Sequence, residues 1–485
     1  MDDKELRHDR KYVWYGAFGF AGAEDDLPFS GLVSYSPAEG IHVKILTEDT
    51  SLLDEGGTLV RGKMHALVSD EHGFRHLTLL NVFLGSSRTN FRATEVEGTA
   101  ELLLDTWIYK STSVRKIQAE YCRAFEDFMF WRSSRDSCIL AFSGREGFST
   151  QNGWRVSFSD NSIATVVSKA NDLGTVFWTR TPEALTELKK ATVKVFEEYS
   201  GQILRRKNLR FYISFEHDDK SFAKYLSKLG QWESFVGFLI DDILNPQSIY
   251  ILVEDEKNFG ERSQKKANVI LGYRKNEKRK RVEPYHHHRL PINFTVFDEG
   301  EKDGLLELYK AFERWISICE LSDWKPIYRS VKRSFQFAEY FGDTPQFASN
   351  FSDISAFLSL TDGSGKGLPE EMIAKYAPED WKKSVRKLFP YAKNDKDIDK
   401  FLGEELKSIR NSIEHPADDE RRGRSFHRAL RDDEFKLHLL NAYVTGLLMY
   451  GVLSYLGIDS DIAKKKFVNN FIEAHGDFRP IEFDE

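Results

Sequence analysis

The feature that most restricts this chain is a change of hydrophobic period past its middle. Before about residue 300, stretches in which apolar side chains alternate with polar or small ones predominate, with a few helical segments among them; beyond it apolar side chains return every three or four residues. Alternation builds half-buried strands, and the longer spacing builds amphipathic helices. The expected class is therefore α+β, with a β-rich N-terminal region and a helical C-terminal one. The length of 485 residues exceeds one ordinary core, so two or three domains are expected.

Residues 11–110 carry strand patterns at Tyr12–Phe20, Phe29–Tyr35, Ile41–Leu46, Leu59–Met64 and His76–Leu84, with a turn at Pro37–Gly40. Short strands at this spacing predict an antiparallel sandwich or open barrel. From 111 to 290 strands at Lys116–Tyr121, Val156–Phe158, Val176–Trp178, Phe211–Phe215 and Ile249–Val253 mix with helices at Ala124–Trp131, Pro182–Tyr199 and Ser221–Leu239. These segments are the α/β part of the region, and a sub-boundary falls near 110.

Beyond 300, Leu305, Leu308, Tyr309, Phe312, Trp315, Ile316 and Cys319 form an amphipathic stripe that Pro326 interrupts. Further helices are predicted at 328–341, 351–361, 369–389, 395–415 (capped by Asn394 or Asp395), 432–456 and 461–474. Several amphipathic helices with short connections make a bundle. Leu439–Ile458 has no charged residue and is about the length of a membrane span. Asn441, Thr445, Ser454 and its glycines fit a buried bundle helix better, so no membrane partner is expected.

Composition narrows the function classes. A net charge of −7 exerts no global pull on nucleic acid, so any such binding needs local patches. Cys122, Cys138 and Cys319 show neither a disulfide framework nor zinc spacing, which points to a reducing cytoplasm. The charged N-terminus has no apolar stretch of a signal peptide. The cationic run Arg274–Arg281 reads as a solvated loop, with phosphate contact as the alternative. His286, His287 and His288 cannot all face one side of an element, and no spaced acid completes a metal site. The glycines of 361–367 do not match a phosphate-binding loop.

One short stretch carries chemistry: Arg410-Asn411-Ser412-Ile413-Glu414-His415-Pro416. Leu402, Leu406, Ile409 and Ile413 form one helical stripe, and Asn411 and His415 point together almost opposite it. Arg410 and Glu414 make an i,i+4 pair on the flank. Pro416 biases His415 away from helical geometry, so the helix ends there. A histidine at a helix C-terminus has its protonated form favoured by the dipole. An imidazole that titrates near neutrality, beside an arginine and an amide, suits phosphodiester chemistry. The loop beyond carries Arg421, Arg422, Arg424, His427, Arg428 and Arg431, which could hold a phosphodiester backbone, with Phe426 able to stack a base. Asp418, Asp419 and Glu420 neutralise part of that patch.

Arg410-Asn411 followed by His415 resembles the R-x(4–6)-H signature of HEPN ribonucleases. The order helix, Arg-Asn, His, polar loop, long apolar helix strengthens it. The whole chain is similar to the ApeA-type anti-phage HEPN proteins, with residues 1–295 as a β-rich sensor or regulatory region and 300–480 as the HEPN helical-bundle ribonuclease domain. The resemblance implies metal-independent cleavage of RNA, tRNA or mRNA, without cofactor or metal. Arg410, Asn411 and His415 would be catalytic, and Arg421, Arg422, Arg424, His427 and Arg428 would bind RNA. It further implies a homodimer that pairs two motifs, bacterial cytoplasmic location, an unidentified phage-derived trigger and abortive infection. On a straight helix Arg410 and His415 lie about 140° apart, so convergence needs a distorted helix end, long side chains or a paired site. Two other classes remain: a catalytically idle HEPN module that binds RNA or protein, and a metal-dependent nuclease, which no paired-carboxylate motif supports.

Overall fold

The computed structural model describes residues 6–20, 26–47, 60–70, 73–90, 93–108, 112–123, 142, 145–160, 163–168, 174–178, 203–218, 221–240, 244–256, 262–272, 304–336, 343–362, 369–389, 398–414, 434–458 and 463. Its architecture is α+β: an N-terminal six-stranded antiparallel barrel and further strands, followed by helices.

The alternating segments become β1 (Tyr12–Phe20), β2 (Phe29–Ser36), β3 (Gly40–Thr47), β4 (Val60–Asp70), β5 (Gly73–Asn90) and β6 (Ala93–Leu104). They pair in the order β1-β2-β3-β6-β5-β4, and β4 returns to β1. The barrel is thus closed, where the alternation alone suggested a sandwich or an open barrel. Closure is aided by a bulge. The β4–β5 ladder steps from Gly62–Val82 to Met64–Leu79, and Asn81 takes a left-handed φ of 52° there. Bulges bend a strand and raise its twist, and asparagine tolerates that φ better than most side chains. Trp14, Phe18, Val33, Ile45, Met64, Leu79 and Val96 fill the interior.

A second antiparallel sheet grows from the barrel. It comprises β7 (Ser113–Arg123), β8 (Phe148–Ser149), β9 (Arg155–Asp160), β10 (Ile163–Ser168), β11 (Gly174–Trp178), β12 (Ile203–Glu216), β13 (Ser248–Glu256) and β14 (Arg262–Leu271). Its order is β11-β10-β12-β7-β13-β14; β14 then pairs with β6, and β9 joins β12 and β8. β6 is the shared strand. With a period of two, Leu103 enters the barrel core while Leu102 and Leu104 enter the other one.

Helix α1 (Phe222–Ile240) lies against β7 and β12, with Tyr225, Leu229, Trp232, Phe235 and Leu239 all buried. A helix apolar on most of its circumference must be covered on most sides. The sheet covers one side, and α2 (Gly304–Ile318) and α3 (Lys325–Gln336) cover another. Trp232 joins the two layers, its ring 5.8 Å from Phe211 of β12 and 5.0 Å from Phe312 of α2. One apolar core therefore runs from the second sheet through α1 into the helices, and the barrel keeps its own.

The remaining helices are α4 (Asp343–Asp362), α5 (Pro369–Tyr376), α6 (Glu379–Arg386), α7 (Ile398–Glu414) and α8 (Glu434–Tyr455). Two details differ from the periodicity reading. Pro326 lies in the first turn of α3 rather than interrupting a helix, because the N–H it lacks has no intrahelical partner there. The pattern over 369–389 is two helices, because Pro378 disfavours helical geometry at Ala377.

Helix α8 is the apolar run that matched a membrane span in length. Leu440, Val444, Leu448, Val452 and Leu453 are all in the core. Among the described residues no helix is long and apolar enough to cross a membrane. Its polar residues find partners inside: Asn350 of α4 donates to Asn441 Oδ1 at 3.3 Å and Thr445 Oγ1 at 3.0 Å, and Gln346 donates to Asn350 at 2.8 Å. Buried amides so satisfied fix the pairing of α4 and α8 in one register. The helices expected at 124–131, 182–199 and 461–474 (apart from Ala463) lie outside the described residues, as do Arg274–Arg281 and the histidines at 286–288.

Candidate functional site

Helix α7 carries the motif, and its sequence explains its seat. Leu402, Leu406 and Ile409 are buried and Ile413 packs against the same core. Asp399 lies in the first turn, where the helix dipole favours a carboxylate, and pairs with Lys382 of α6 at 2.6 Å. Gly403 lets α7 meet the start of α5 closely. A Cβ built there would stand 2.8 Å from the Glu370 backbone N, so any larger residue pushes the helices apart. Near the other end, Ser412 is buried and its hydroxyl donates to the Ile409 carbonyl at 2.8 Å.

Arg410 and Asn411 are half-buried on the flank of this stripe, in the last turns of α7. Arg410 Nη2 pairs with Glu414 Oε2 at 2.8 Å, the i,i+4 contact its spacing predicts. Its Nε is covered yet meets no acceptor among the described residues. A covered donor left unused costs about 1–3 kcal/mol. The guanidinium therefore stands near the end of α7 with donor capacity that no acceptor takes up among the described residues. A planar fork of this kind suits a phosphate or carboxylate oxygen.

His415, expected beside Asn411, lies outside the described residues, and so do Arg421, Arg422, Arg424, Phe426, His427 and Arg428. Arg410 and Asn411 are thus the two motif residues whose placement is described. Among the described residues no three His, Cys, Asp or Glu side chains gather as a metal site requires.

A second polar cluster has no sequence signature. Glu320, just beyond α2, receives Lys228 Nζ of α1 at 2.6 Å, Thr150 Oγ1 at 3.3 Å and Asn152 Nδ2. Lys228 and Glu320 side chains are 6% and 10% exposed. Burial pulls the Lys228 ammonium below the usual lysine range, and Glu320 opposes that pull. The Lys228 ammonium also lies over the Trp154 ring, 5.4 Å from its centre. Beside Glu320, burial drives the Cys319 thiol well above the ordinary range. The cluster ties the turn between β8 and β9, α1 and the end of α2 together. No residue spacing could announce it, since its members are far apart in the chain. Compared with family models, curated proteins and solved structures, the chain matches none.

Proposed function

We propose that this protein is a HEPN-type endoribonuclease of anti-phage defence. It cleaves RNA without a metal ion through Arg410, Asn411 and His415. The observation that carries the reading is the guanidinium of Arg410, held at the end of α7 with a covered Nε–H that no acceptor among the described residues uses. Support also comes from the register of α7, which buries Leu402, Leu406 and Ile409 and leaves Arg410 and Asn411 out of the core.

In this mechanism a ring nitrogen of His415 takes the proton from a ribose 2′-hydroxyl. The O2′ lone pair attacks the adjacent phosphorus, and the P–O5′ bond breaks with its electron pair on O5′. The products are a 2′,3′-cyclic phosphate and, after proton transfer to O5′, a 5′-hydroxyl. Arg410 donates to a non-bridging oxygen, offsetting the charge that builds in the transition state. Asn411 orients His415 or donates to the same phosphate. Each chain supplies one such histidine, so a homodimer provides the base from one copy and the acid from the other. The route requires a 2′-hydroxyl and is closed to DNA. Arg421, Arg422, Arg424, His427 and Arg428 would hold the flanking backbone, while the β-rich region senses infection.

Purified protein incubated with tRNA and mRNA in EDTA is expected to cut, and His415→Ala to leave the RNA whole. Equal cleavage by both would overturn the assignment. One observation favours a second reading, a catalytically idle binding module: Glu414 already neutralises Arg410. In that case neither Arg410 nor His415 substitutions would change biological activity.

A further inference from the structure

We propose that Glu414 is a built-in competitor for the phosphate on Arg410, so that the site is partly occupied by its own helix until RNA displaces the carboxylate. This inference rests on the ribonuclease reading for the role of Arg410. It starts from the position of Glu414, the final residue of α7. A carboxylate in the last turn faces the negative end of the helix dipole. An arginine placed four residues ahead of a glutamate is also the less favourable order for a helical ion pair. Helix stability therefore gives only a weak reason for an acid here.

Recognition chemistry gives a stronger one. The Arg410–Glu414 contact includes an Nη2–Oε2 pair at 2.8 Å, with both side chains about one-third exposed (38% and 30%). The two oxygens of a carboxylate and the two non-bridging oxygens of a phosphodiester can each accept from the guanidinium fork, so they compete for it. A strand that reaches Arg410 must either swing Glu414 aside or lie beside its charge. Both lower the affinity of the strand. Because the pair is partly exposed, its strength is modest and the competition is reversible. The carboxylate would thus keep the site from taking any phosphate it meets and leave it open to a strand held elsewhere as well, as by the arginines beyond His415.

The test is a binding cycle that does not depend on cleavage. Wild type, Glu414→Gln, Arg410→Ala and the double variant would be titrated with a fluorescent RNA strand made of 2′-O-methyl nucleotides at low salt. Thermal melting of each would confirm an intact fold. Glu414→Gln is expected to bind about fivefold tighter than wild type, a gain within the range of one partly exposed charge pair. In the Arg410→Ala background the same change should yield no gain. Binding by Glu414→Gln that is equal to or weaker than wild type would overturn the proposal. So would an equal gain without Arg410, because Glu414 would then act as a diffuse negative charge. Cleavage of ordinary RNA by wild type and His415→Ala separates the two ideas. Equal cleavage defeats the ribonuclease assignment, whereas the binding cycle decides the competition.

Discussion

Arg410→Ala is expected to slow cleavage of RNA by about 10²- to 10³-fold in single-turnover assays, the usual loss when one donor to a developing oxyanion is removed. The fold should tolerate the change. The pair with Glu414 is partly exposed, and such pairs contribute only about 0–1 kcal/mol. Removing the side chain also removes a covered donor that no acceptor among the described residues uses. Arg410→Lys should recover only part of the rate, because an ammonium restores charge without the planar fork. A single-turnover rate for Arg410→Ala within twofold of wild type would show that this guanidinium does not touch the reacting phosphate.

The largest effect on stability belongs to Glu320. Glu320→Ala leaves the Lys228 ammonium buried without its carboxylate, and breaking one partner of such a pair costs about 3–5 kcal/mol. Thr150 and Asn152 lose their acceptor in the same step, so the turn between β8 and β9 also loosens from the end of α2. Replacing both members, Lys228→Met with Glu320→Leu, should recover most of the loss, because no lone charge then remains in the core. Denaturant unfolding of the two variants measures this directly. A loss below about 1 kcal/mol for Glu320→Ala would mean that water reaches Lys228 freely.

The split behaviour of this chain under sequence reading has physical causes. Period-two alternation exposed β1, β2, β3 and the centre of β5, because each half-buried strand repeats its own burial pattern. Barrel closure was not legible. It depends on β1 meeting β4 and β5 meeting β6, and on the bulge at Asn81, none of which local alternation encodes. The stripe of α7 and the Arg410–Glu414 pair were legible, since both are local helical spacings. The Glu320 cluster was invisible because tertiary folding alone brings Lys228, Thr150 and Asn152 to it. Asn441 and Thr445, which looked like interruptions of an apolar run, are the groups that meet Asn350.

The chemistry of the cut ends tests the central claim most directly. RNA and DNA of one sequence would be incubated with the wild-type protein in EDTA and the termini identified by mass spectrometry. The account predicts 2′,3′-cyclic phosphate and 5′-hydroxyl ends on the RNA, an intact DNA strand, and no such ends with His415→Ala. Ends bearing 5′-phosphate, cleavage of the DNA, or cutting that begins only when Mg²⁺ is added would contradict it.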